Sequence, residues 1–404
     1  IALEFFKENA SEISIIEDER DRNDETREFQ RHANRSSVNN LVELASCQLI
    51  KSIDDFDTDL NALAVEGGWI NLKDARHFNP SPDMMFSKCT SVPYFKDAAA
   101  PLWRKTILQV FDGDKAMAEY FQRAVGYSLL GENKEQCLFI CYGSGANGKS
   151  LLLETIKDVL GSYGQSMPIA ALLKGKTSSG AANPEIARLL GVRFALAAEA
   201  EKGQHWSAHR VKMLTGNDTI TARNLYKGIF EFKSQATIWI ASNHKPEVDS
   251  SDEAMWRRIK LIPFNHVFTN DEQDPELTNK LRSEYAGILT WMVQGLCSYN
   301  ANGLQEPKKV IDATMAYREE MNSVKRFIAE ALELDNDSRE TLSEVKETYK
   351  NWCKDECLQP LPSSQFKNAL IDAGFKEAKS GSTRYWSGLR LINPLEKDFD
   401  NYGF

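Results

Sequence analysis

The stretch GSGANGKS, Gly143 to Ser150, lies between the apolar run CLFICY (137–142) and the helix-like run LLLETIKDVLG (151–161), and its reading decides the fold. It satisfies G-x-x-x-x-G-K-[ST] in full, at the strand-to-helix junction where a P-loop has to sit. Gly143, Gly145 and Gly148 let backbone N–H groups turn toward phosphate oxygens, while the helix beyond presents its positive N-terminus. The expected cradle therefore runs through Gly143, Ser144, Gly145, Ala146, Asn147, Gly148, Lys149, Ser150 and Leu151. Lys149 would reach the β and γ phosphates and Ser150 would hold Mg²⁺. No N-K-x-D motif for reading guanine is present, so ATP is the expected nucleotide.

Outward from the loop, residues 137–300 alternate short apolar runs with helical ones, which predicts an α/β domain around a mainly parallel sheet. VRFALAA (192–198) and ATIWIAS (236–242) join CLFICY as central strands. The second strand runs into AAEAE, where alternation places Glu199 and Glu201 on one side. One carboxylate could order the magnesium through water while the other polarises the attacking water. The third strand ends at Asn243, whose amide both donates and accepts and so can orient a water against a γ-phosphate. DEAMWRRIKLIPF (252–264) then carries Arg257 and Arg258, one of which could act as an arginine finger in a neighbouring subunit's site.

The remaining composition constrains the setting. With 404 residues, 42% hydrophobic and 26% charged, the chain reads as two or three globular domains. No stretch approaches the roughly 20 uncharged apolar residues that cross a bilayer, and the N-terminus lacks a signal-peptide pattern. A cytoplasmic protein is expected. Seven scattered cysteines agree with a reducing compartment, and the start at Ile suggests a fragment or processed product. The net charge of −9 is concentrated in residues 1–100, at −8, which leaves the other 304 near neutral. Lys202 to Lys233 holds six basic residues against two acidic ones, a local positive patch.

Flanking regions differ in texture. Val38, Leu41, Val42, Ala45 and Leu49 recur at helical spacing after a capping Ser36-Ser37, and a broken segment from GGWINL to FNPSPDMM precedes a helical stretch from Leu102. After a linker at 301–307, helices are expected around 324–331 and 342–352, with a third that Ser363 or Ser364 caps and Gly374 ends. Two strand-like runs around a Ser-Gly turn follow, an order that suggests a winged helix, whose Lys367, Lys376, Lys379 and Arg384 could touch phosphates.

The succession GSGANGKS, FALAAEAE, VKMLTGNDTITARNLYKGIFEF, IWIASNHKP and DEAMWRRIKLIPF resembles the helicase domain of the phage/plasmid helicase-primase family. That family is akin to the poxvirus helicase-primase, among the superfamily 3 helicases of the AAA+ class. The resemblance covers roughly 61–300 and extends more weakly into the tail. It implies a P-loop NTPase core of AAA+ type (133–304), a mainly helical N-terminal region that helps assemble the ring (1–132) and a winged-helix C-terminal domain (305–404). It further implies an ATP-driven DNA helicase, usually a hexamer, moving 3′ to 5′ on single-stranded DNA. A replication initiator that uses ATP only for assembly is the alternative. Such domains commonly follow a primase or primase-polymerase, and work in a bacterial host cell or a viral replication compartment. By motif match, Gly143, Gly148, Lys149 and Ser150 form the phosphate and metal site, Glu199 and Glu201 the Walker B acids, with Glu199 on the metal, and Asn243 the sensor. Arg257 or Arg258 takes the finger role. Family members also insert a β-hairpin before the sensor strand, and here Arg223, Tyr226 and Lys227 stand where it would grip DNA, by phosphate contact and base stacking.

Overall fold

The structure, a computed structural model, describes residues 18–32, 35–48, 50–174, 184–198, 204–223, 229–248, 252–356, 358, 360–381 and 383–392. The chain divides into two compact units, Ile1–Thr58 and Asp59–Phe404. In the first, α1 (Glu19–His32) and α2 (Arg35–Gln48) are helices. The second begins at Arg35, so Ser36 and Ser37 lie within it and do not cap it.

The second unit opens with a small antiparallel sheet, β1 (Ala62–Val65), β2 (Gly68–Asn71) and β3 (Arg76–Phe78), where only a broken segment was legible. Strands of three or four residues are too short for alternation to register. Two helices follow, α3 (Pro101–Val110) and α4 (Lys115–Tyr127). Asp114 caps α4 by accepting from Met117 N.

The central sheet is all parallel. In chain order it comprises β4 (Leu138–Tyr142), helix α5 (Lys149–Val159), β5 (Gly164–Pro168), the short helix α6 (Pro184–Ala187) and β6 (Phe194–Ala198). Helix α7 (Ala208–Thr215) and a two-stranded excursion, β7 (Thr219–Arg223) with β8 (Ile229–Lys233), precede β9 (Thr237–Ser242), helix α8 (Glu253–Trp256) and β10 (Ile259–Pro263). The strands lie in the order β10-β4-β9-β6-β5. The three strands expected to be central, β4, β9 and β6, are indeed the inner ones. Both faces are covered, so their sequences read as unbroken apolar runs. Period-two alternation divides the core: Phe139, Trp239 and Phe194 face one cluster while Leu138, Ile140, Ile238 and Ile240 face the other.

On the first face, Trp239 stacks on Phe139 with ring centroids 4.4 Å apart and meets Phe121 of α4 edge-on at 5.6 Å. Its indole N–H donates to Ser128 Oγ at 2.9 Å. Helices α3 and α4 therefore share the core of the parallel sheet. After α9 (Leu277–Arg282), the long α10 (Tyr285–Asn302) lies against α4. The approach is so close that a Cβ on Gly126 would stand 2.1 Å from Leu296 N, and one on Gly295 2.2 Å from Gln122 O. No side chain fits at either position.

Helix α11 (Lys308–Glu320) docks on β10, where Leu261 N donates to Thr314 Oγ1 at 3.0 Å. The tail has its own core around Phe327, Tyr349, Phe366 and Trp386. Its order is α12 (Ser323–Ala331), β11 (Leu332–Thr341), α13 (Leu342–Asp355), α14 (Ser363–Asp372), β12 (Lys376–Ser380) and β13 (Thr383–Leu391), with sheet order β11-β13-β12. The three helices and the hairpin agree with the sequence reading. Strand β11 does not, because LELDNDSRET is acidic and lacks alternation. Helix α14 begins after Pro362 with no side-chain cap, so neither Ser363 nor Ser364 caps it; Gly374, at φ +98°, follows its end. Among the described residues no helix is long and apolar enough to cross a membrane.

Candidate functional site

The loop between β4 and α5 is held in one conformation by its sequence. Gly148 sits at φ +78° as the residue before α5, and a Cβ there would stand 2.9 Å from Val110 Cγ2. Gly145 and Ala146 also take positive φ, at 115° and 49°. Lys149, only 6% exposed, donates from Nζ to Gly143 O at 2.8 Å and to Asn147 Oδ1 at 2.9 Å. A buried ammonium at a helix N-terminus makes a strongly positive pocket. Gly145 to Leu151, together with Ala241 and Asn243 from the end of β9, line a cleft of about 470 Å³. The spacing-based cradle and the distant Asn243 thus meet on one concavity. Its donors and lysine fit a polyphosphate, and Ser150, exposed on the first turn of α5, could hold a cation beside it.

Two features of the cleft go beyond the sequence reading: the side-chain role of Asn147, expected only as part of the cradle, and the segment after β10. Asn147, fixed by its side chain, accepts from Gly145 N at 2.6 Å and donates from Nδ2 to His266 O at 2.9 Å. Phe268 N donates to Ala146 O at 2.9 Å, so the segment after β10 buttresses the loop from behind. His266 Nδ1 in turn meets Asp112 Oδ1 at 2.7 Å. Asn147 occupies a variable position of the motif, and only its geometry reveals that it organises the lysine.

Glu199 and Glu201 lie outside the described residues. Ala198, the last described before them, pairs with Ala241 of β9, two residues before Asn243. Tyr226 and Lys227 also lie outside. The strands that lead to and from them, β7 and β8, form an antiparallel hairpin in which Arg223 pairs with Ile229, and Arg223 is exposed. Asn133 anchors the root of this hairpin through its Nδ2, at 3.3 Å from Ser234 O and 3.4 Å from Leu214 O.

The paired arginines separate cleanly. Arg257 is exposed and makes no ion pair among the described residues. Arg258 is 6% exposed; its Nε donates to Thr215 Oγ1 at 3.2 Å and its Nη1 to Ala254 O at 2.7 Å. Burial, and next the charge of Arg257, hold its guanidinium below the ordinary arginine range, opposed by Asp252 and Asp218. One turn earlier on α7, Lys212 Nζ donates to both oxygens of Asp252, at 2.9 and 2.8 Å. Asp252 is also the cap of α8, accepting from Met255 N at 3.1 Å. In the tail, Lys367 and Arg384 both pair with Glu377, Arg384 at 3.3 Å, so two of the four expected phosphate contacts are engaged within the module. Lys376 and Lys379 are exposed.

A buried lysine on a strand-to-helix loop, at the C-terminal edge of a five-stranded parallel sheet, defines an α/β protein with a P-loop-type core. Two family models match the chain: D5 N terminal like, over residues 2–112, and a family of unknown function (DUF5906), over 141–258. The L207/L206 protein of Acanthamoeba polyphaga mimivirus, a candidate helicase, is 29% identical over 77% of this chain and 35% of its own length. The 022R protein of Frog virus 3, also a candidate helicase, is 30% identical over 59% of this chain and 26% of its own. The C962R protein of African swine fever virus, a candidate primase, is 24% identical over 85% and 39%. These similarities support a relationship to the phage and viral helicase-primase family. It spans about a third of the length of these relatives.

Proposed function

We propose that the chain is the motor of an ATP-dependent DNA helicase, an AAA+ ring of the superfamily 3 type, hexameric, that moves 3′ to 5′ on single-stranded DNA. The observation that carries this reading is the cleft in which buried Lys149, the first turn of α5 and Asn243 converge. Lys149 would leave Gly143 O for the β and γ phosphates of ATP. Ser150 and Glu199 would hold Mg²⁺, which when bound neutralises charge on the phosphates. Asn243 would orient the attacking water, with Glu199 and Glu201 withdrawing its proton. Arg257 is the finger offered to the adjoining subunit, a role its exposure supports and the burial of Arg258 argues against for that residue. The β7–β8 hairpin, with Arg223, Tyr226 and Lys227, would grip the strand in the ring's channel. The tail is a winged helix, its Lys376 and Lys379 placed for phosphate. The name of the swine fever virus relative favours a primase, fused or associated. A host cytoplasm or viral replication compartment is the setting in which such a motor would work.

A forked duplex with either a 3′ or a 5′ single-stranded tail tests the reading. With ATP and Mg²⁺ the chain should displace the strand from the 3′-tailed substrate only, and Lys149→Ala should abolish both displacement and phosphate release. Hydrolysis without displacement would turn the reading toward an initiator that uses ATP for assembly.

A further inference from the structure

Arg258 occupies a position that chemistry alone does not favour. A buried guanidinium carries a desolvation cost, and an apolar side chain of similar volume would often stabilise such a site more. Its two hydrogen bonds run in two directions: Nη1 to Ala254 O within its own helical turn, and Nε across to Thr215 Oγ1. Thr215, 1% exposed, is the last residue of α7, and β7 begins four residues later at Thr219. Asp218, in the turn that joins them, is one of the carboxylates whose charge supports the Arg258 guanidinium. Arg258 is also bonded through the backbone to Arg257. A single side-chain hydrogen bond therefore separates the residue after the exposed arginine from the foot of the hairpin. The bidentate Lys212–Asp252 contact, one turn back on α7 and at the cap of α8, forms a second clasp across the same seam.

We propose that Arg258 and Thr215, aided by Lys212 and Asp252, link the DNA-gripping hairpin to Arg257, so that load on the hairpin resets the arginine presented to the next subunit. Arg258 is then a positioning residue. The guanidinium suits this because its rigid planar fork fixes two partners at set angles, which an apolar group or a flexible ammonium does not. Two clasps resist rotation as one could not, so α7 and α8 move as a single piece. The proposal rests on the finger and hairpin roles assigned above.

The test uses the full chain, measuring phosphate release with and without oligo-dT, and DNA affinity by fluorescence anisotropy. Thr215→Val keeps the volume and removes the acceptor. Its basal hydrolysis and DNA affinity should match the unmodified chain, while stimulation by oligo-dT should fall about 5-fold or more. Thr215→Ser, which restores the hydroxyl, should recover it. Full stimulation in Thr215→Val, a defect as large in Thr215→Ser, or an equal loss of basal and stimulated rates would each overturn the link. Should Thr215→Val fail to fold, Lys212→Gln on the half-buried second clasp should lower stimulation in the same direction, and unchanged stimulation there overturns the link as well. An unmodified chain that neither hydrolyses ATP nor responds to DNA would instead remove the helicase reading on which the link stands.

Discussion

The phosphate cleft and the hairpin–arginine edge are built in opposite ways. In the cleft, the lysine and its acceptors lie within seven consecutive residues, Gly143 to Lys149, and the loop is locked by glycines that tolerate positive φ. At the edge, the ties join residues about forty positions apart, Lys212 to Asp252 and Thr215 to Arg258. Binding phosphate requires a rigid surface that one short segment supplies in the main, here braced from behind by His266 and Phe268. Conveying a displacement from one element to another requires contacts between segments, and those exist only in the folded chain. The cleft is accordingly the part to test for chemistry, and the edge the part to test for communication.

The largest expected effect would break or secure this division. Arg257→Ala should lower ATP turnover by about 10³-fold while leaving the KM for ATP nearly unchanged, because the finger acts on the transition state in the adjoining site. Mixed with Lys149→Ala, it should regain part of the hydrolysis, since one variant brings an intact cleft and the other an intact arginine. No recovery in mixed assemblies would mean that the edge does not serve a neighbour's cleft.

A smaller effect probes the platform under the cleft. Ser128→Ala removes the acceptor of the buried Trp239 N–H, which lies on the strand that carries Asn243. Leaving that donor unpaired should cost about 1–3 kcal/mol, read as a lowered thermal midpoint, with the KM for ATP unaltered. An unchanged midpoint would show that the indole contributes through packing alone. A changed KM would mean that the cleft is less self-contained than its local hydrogen bonds suggest.

The same contrast explains what was legible in the sequence. The inner strands β4, β6 and β9 could be read because burial on both faces makes them continuous apolar runs, and the loop because its geometry demands glycine at set positions. The outermost strands could not. β5 is GQSMP, paired on one side only, and β10 is IKLIP, short and interrupted by a lysine that reaches Glu306. β11 is acidic throughout its middle and owes its pairing to β13. Arg257 and Arg258 are indistinguishable as letters. They diverge because α8 ends at Trp256, just before them, and the chain then turns one outward and the other toward Thr215. The basic residues of the tail were equally ambiguous, since nothing in their spacing foretells that Glu377 holds two of them.

The smallest effect isolates the charge in the second clasp. Partial burial works to raise the Asp252 carboxyl, but the Lys212 ammonium and the amides at the start of α8 outweigh it and hold the group below its ordinary value. A depressed folded-state value means that the clasp contributes fully above the unfolded carboxylate value, near pH 4, and is lost as pH falls through the folded one. Asn caps a helix as well as Asp does, so Asp252→Asn removes the charge and spares the cap. At pH 7 the variant should be less stable by on the order of 1 kcal/mol, given the partial exposure of both partners. Thermal midpoints at pH 7, 5 and 3.5 should show a constant gap at the first two and a narrowing one at the third. A gap that does not narrow in acid would assign the contribution of Asp252 to its capping geometry, and would leave the Arg258–Thr215 contact as the sole polar clasp across the seam.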